Sequence, residues 1–97
     1  MAIKIKPDFA KAYNNLGIAL LAEQKTEEAI SHYKTAIKIN PDYAEAHYNL
    51  GNALSTERKI DEAISHYKMA IELKPDFAAA QKNLETALRS MEMQDLF

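Results

Sequence analysis

The chain repeats itself every 34 residues, and this period limits its possible folds more than any other feature. Pro7, Pro41 and Pro75 are each followed by Asp and then an aromatic residue: Asp8-Phe9, Asp42-Tyr43 and Asp76-Phe77. Residues 7–40 and 41–74 agree at 20 of 34 positions. Gly17 and Gly51, the only glycines, fall one period apart, and Glu28 to Lys34 recurs unchanged as Glu62 to Lys68. A unit of this length is one supersecondary element that cannot bury its apolar face alone, so neighbours must stack.

Each unit reads as two helices. Phe9, Tyr13, Leu16 and Leu20 fall at i, i+4, i+7 and i+11, which forms one helical stripe. Ala29, Ile30, Tyr33, Ala36 and Ile37 form a second stripe. The joints fall at residues 23–26 and 57–59. Each Pro is expected at the start of a first helix, where its missing N–H costs nothing and the following Asp faces the positive helix end. Two glycines and three prolines are too few for a β-sandwich or barrel, which needs frequent turns.

Composition removes several function classes. Without cysteine the chain has no disulfide scaffold, thiolate zinc site or cysteine nucleophile, which suits a reducing, cytoplasmic compartment. Twelve basic against fourteen acidic residues give a net charge of −2, so charge makes no case for nucleic acid. No apolar run is long enough for a membrane span. A Gly-rich phosphate loop, a nucleophile elbow and a rigid His–carboxylate pair are all missing, so no enzyme activity and no cofactor are expected. Glu27-Glu28 and Asp61-Glu62 open second helices, where acids suit the macrodipole. His32 and His66 repeat with the period and have no ligand at i+3 or i+4, so no metal site is expected. Tyr13, Tyr33, Tyr43 and Tyr67 read as core or interface aromatics.

These residues resemble the tetratricopeptide repeat, a 34-residue helix–turn–helix with the pattern W-x2-L-G-x2-Y…A-x3-F…P. Tyr13, Leu16, Gly17, Leu20, Ala29, Tyr33, Ala36 and Pro41 match it in the first unit. His47, Leu50, Gly51, Leu54, Ala63, Tyr67, Ala70 and Pro75 match it in the second. Tyr13 or His47 stands in for the usual Trp, and Leu20 or Leu54 for the usual Tyr. The resemblance covers nearly the whole chain. It implies an all-α, α-α superhelical solenoid: repeat 1 at residues 7–40, repeat 2 at 41–74, a C-terminal capping helix at 75–91 and a tail at 92–97.

The ends add two expectations. Residues 1–6 match the run before Pro41 and read as the end of a preceding second helix, which suggests a fragment of a longer array. Glu85 stands where Gly17 and Gly51 stand. In the family that glycine meets a small alanine of the second helix, here Ala29 or Ala63. A buried Glu at that contact is costly, so no partner helix is expected against Glu85. The apolar residues of the tail are free to fray, fold back or dock into a neighbouring molecule.

The family implies that first helices line a concave groove for protein partners. Its residues here would include Lys11, Asn14, Asn15 and Ile18, then Glu45, Tyr48, Asn49 and Asn52, then Lys82, Asn83, Thr86 and Arg89. Asn15, Asn49 and Asn83 recur with the period, and an Asn can pair both the N–H and C=O of a peptide. The column resembles the asparagine ladder of O-GlcNAc transferase superhelices. The alternative is that these residues cap turns or bond to the neighbouring helix. A carboxylate clamp for acidic C-termini would map to Asn14, Ile18, Asn49, Ala79 and Asn83, and only Asn49 suits it. Lys82 and Arg89 could draw an acidic segment, and Tyr48 offers a stacking face. The expected function is a protein–protein interaction module that binds an extended peptide. The alternatives are a homo-oligomer that stacks or swaps through its open ends, or the targeting segment of a larger enzyme such as a glycosyltransferase.

Overall fold

The protein is described by a computed structural model over residues 7–95, with side chains from Phe9 to Met93. Residues 1–6 and the last two of the tail, on which two expectations fall, lie outside the described residues. Five helices follow in order: α1 Pro7–Ala22, α2 Thr26–Ile39, α3 Ala44–Thr56, α4 Ile60–Leu73 and α5 Ala78–Asp95. Each packs on its successor, while α1, α3 and α5 touch more thinly along one side. The molecule measures 55 × 30 × 21 Å, the elongated outline of a stack.

The first helices end by a route the sequence hides. Gln24 and Arg58 adopt positive φ, at 65° and 62°. The Lys25 and Lys59 amides reach back to the Leu20 and Leu54 carbonyls at 2.9 and 2.8 Å, and the Gln24 and Arg58 amides to those of Leu21 and Ser55. This is the six-residue C-terminal closure usually given to glycine, here on side chains that the left-handed region disfavours.

The prolines sit differently from expectation. Pro7 opens α1, but α3 and α5 begin three residues beyond Pro41 and Pro75, at Ala44 and Ala78. The Tyr43 and Phe77 amides bond to the carbonyls of Asn40 and Lys74 at 3.1 and 3.0 Å, which closes tight turns with Pro second and Asp third. Asp42 serves that turn too, its amide bonding to Asn40 Oδ1 at 3.2 Å. At the other end, α5 continues to Asp95, past the Met91 boundary read from the sequence.

The atoms nearest to the two glycines belong to aromatic rings of the following helices. A Cβ on Gly17 would lie 2.5 Å from Tyr33 Cε1, and one on Gly51 would lie 2.7 Å from Tyr67 Cε1. Each glycine therefore makes room for a buried tyrosine ring of the following helix. Ala29 and Ala63 are buried in the same core, with Leu50, Ala53 and Leu54 at its centre.

Candidate functional site

Two polar networks tie the first helices together. Asn49 Nδ2 donates to Asn14 Oδ1 at 3.0 Å, and Asn14 Nδ2 points to the Tyr43 hydroxyl at 3.4 Å. This joins α1 to α3 and leaves Asn14 almost wholly buried rather than open on the groove. Between α3 and α5, Asn83 Nδ2 donates to Asn52 Oδ1 at 2.9 Å and to the Tyr48 hydroxyl at 3.3 Å. The Tyr67 hydroxyl donates to the same Asn52 oxygen at 2.6 Å, with Ser55 Oγ 3.4 Å away. Burial raises the Tyr67 hydroxyl above its ordinary pKa, opposed by the Ser55 bond.

The asparagine column is thus partly absorbed by the fold. Asn49 and Asn83 turn their amide nitrogens toward the preceding first helix, while Asn15 is exposed. Of the other groove residues, Lys11, Ile18, Glu45, Lys82, Thr86 and Arg89 are exposed, and Tyr48, Asn49, Asn52 and Asn83 are half-buried. Tyr48 stacks at a tilt on Phe77 with ring centres 4.9 Å apart, so part of its face is already used. Arg89 pairs with Glu85 at 2.6 Å and Lys74 with Glu45 at 3.6 Å, both at the surface. Glu85 is exposed. Among the described residues, no three acidic or histidine side chains converge as metal ligands, and no helix is long and apolar enough to cross a membrane.

The networks leave one cleft beside them. Ser55, Ile60, Tyr67, Asn83, Thr86, Ala87 and Ser90 line a cavity of about 250 Å³ where α5 crosses α3 and α4.

A histidine pair on the far side went unnoticed in the sequence. His47 Nε2 lies 2.9 Å from the Pro41 carbonyl, and His47 Nδ1 lies 3.1 Å from His66 Nδ1. A carbonyl only accepts, so Nε2 carries the proton of neutral His47, and its Nδ1 accepts from His66. Gln81, one period later, donates likewise to the Pro75 carbonyl at 2.7 Å. The shared spacing from Pro to a side-chain N–H donor was the available signal.

Family models match along the chain: a TPR repeat over residues 19–56 and tetratricopeptide repeats over 44–77 and 1–31. The chain belongs to the tetratricopeptide repeat family. Two crystal structures of MamA superpose on this tetratricopeptide chain with TM-scores of 0.85 and 0.84, both at 31% identity and over 93% of its length. The chain spans about half of each MamA chain, 53% and 49%. No curated protein matches it by sequence. Tetratricopeptide repeats are in general protein–protein interaction modules, typically without catalysis.

Proposed function

We propose that the face of α1, α3 and α5 holds an extended segment of a partner protein. The observation that carries this reading is the row of uncharged polar groups along the first helices. Exposed Asn15 and half-buried Asn49, Asn52 and Asn83 recur from helix to helix, with Thr86 beside the last. Asn83 spends both amide hydrogens on Asn52 and Tyr48. What it offers a peptide is its carbonyl oxygen, an acceptor for a backbone N–H. Lys11 and Lys82 add charge at the two ends, while Arg89 is engaged by Glu85.

Selection of peptides from a random display library against the intact chain, followed by calorimetric titration, tests the reading. Asn15→Ala is the decisive variant, because Asn15 bonds to no described residue and its loss leaves the helix contacts alone. Loss of one hydrogen bond in the complex should weaken binding by about tenfold. Unchanged affinity would contradict the groove role of the column.

A second reading rests on an apolar face of the first unit. Phe9 is 54% exposed and borders an apolar cavity of about 420 Å³ with Tyr13, Thr35, Lys38 and Ile39. A second copy seated there would cover it. Sedimentation over a wide concentration range should then show association, and a strict monomer at the highest concentration contradicts it.

A further inference from the structure

The cleft beside the second network has, at one wall position, a much smaller side chain than the first unit carries there. Its wall residue Ser55 corresponds to Leu21, one period earlier, and Leu21 packs against the core. Beside the shorter serine lies a hole of about 250 Å³ floored by Tyr67, Ile60 and Ala87. Asn83, Thr86 and Ser90 form a polar rim around this floor. The floor is held in place: the Tyr67 hydroxyl is fixed by Asn52 at 2.6 Å, and Asn52 is fixed in turn by Asn83 at 2.9 Å.

The molecule itself indicates what fits. In the first unit the corresponding wall position carries a leucine that packs against the core. We infer that the Ser55 cleft is an anchor subsite for one branched aliphatic side chain, leucine, isoleucine or valine, of a bound partner segment. This inference rests on the groove reading above and gives it a sequence preference. An aspartate would leave its charge against an apolar floor, with no cation among the lining residues. An alanine would leave most of the hole unfilled. The rim hydroxyls and the Asn83 amide oxygen stand where the backbone flanking the anchor would pass.

The subsite is tested apart from the groove by titrating the full-length chain with the short peptides acetyl-Ser-Leu-Ser-amide, acetyl-Ser-Ala-Ser-amide and acetyl-Ser-Asp-Ser-amide. Backbone amide shifts are followed by NMR. The leucine peptide should shift the amides of Ser55, Thr86 and Ser90 and bind about tenfold more tightly than the alanine peptide, from the methyl groups buried. The aspartate peptide should leave those amides unmoved. Ser55→Leu restores the first unit's residue and should abolish the response, while Ser55→Ala keeps the hole and should retain it. If Ser55→Leu fails to fold, the contrast among the three peptides in the intact chain and in Ser55→Ala still decides. Equal response to leucine and alanine, or loss of response in Ser55→Ala, would overturn the subsite. Neither result bears on the Asn15→Ala test, so the two readings fail separately.

Discussion

Leu16 and Leu50 are the same residue of the same helix, one period apart, and they meet different surroundings. Leu50 is 1% exposed and Leu16 is 44% exposed. Ala46 is likewise sealed, while Ala12 is open. The reason is position in the stack: α3 has α1 and α2 on one side and α4 and α5 on the other, whereas among the described residues α1 packs on α2 and α3 alone. At the far end, Leu88 is 43% exposed while its counterpart Leu54 is sealed. The burial of a residue in this fold is therefore set by its neighbours as much as by its own helix, as expected for a quasi-one-dimensional array.

Mutations at paired positions can break or sharpen that comparison. The largest contrast should come from the leucines: Leu50→Ala should destabilise by about 3 kcal/mol, and Leu16→Ala by about 1 kcal/mol, in urea unfolding followed by circular dichroism. Similar costs at the two sites would contradict the neighbour account. Next come the glycines. Gly51→Leu drives a side chain into the Tyr67 ring and should cost about 3 kcal/mol. At the equivalent position Glu85 is exposed, and Glu85→Leu should stay within about 0.5 kcal/mol.

A smaller contrast separates the two buried tyrosines. The Tyr67 hydroxyl is bonded to Asn52, whose counterpart in the first unit is Ile18, and Ser55 has Leu21 for its counterpart. Neither Ile18 nor Leu21 can accept a hydrogen bond, and burial pushes the Tyr33 hydroxyl up to about 12. Tyr67→Phe should therefore cost about 1 kcal/mol, while Tyr33→Phe should be close to neutral.

The smallest contrast lies in the histidines. The first unit stacks Tyr13 on His32 with ring centres 5.8 Å apart, and the second stacks His47 on His66 at 5.3 Å. His66 is held below its ordinary pKa of 6.5 by burial first and then by His47, with Glu62 pulling the other way and Lys34 adding to the depression. The unfolded chain takes up protons here that the folded chain resists. The associated stability is whole above the unfolded value of 6.5 and declines as pH falls below it toward the depressed folded value. The thermal midpoint should drop from about pH 7 to about pH 5, and the drop should be shallower in His47→Tyr. Equal slopes would remove His47 as a cause.

The period and the helix pairing were legible because both follow from spacing. The partners of individual groups were not. Gly17 and Gly51 announced a close approach, but only three dimensions show that the Tyr33 and Tyr67 rings come nearest to them. The asparagine column was visible as a pattern. Its split between helix contacts and free oxygens was not, because Asn49 reaches a residue 35 positions away. Gln24 and Arg58 gave no signal of left-handed backbone, since the residue usually chosen for it is glycine. Ser55 belongs to no motif, and its meaning came from comparing it with Leu21 in place.

The most direct test of the account is an NMR map of the chain bound to its tightest display-selected peptide. The account predicts that shifted amides cluster on α1, α3 and α5, at Asn15, Asn49, Asn52 and Asn83 and around the Ser55 cleft. Shifts concentrated instead on the exposed sides of α2 and α4, at Ser31 and Lys34 and at Ser65 and Lys68, would contradict it.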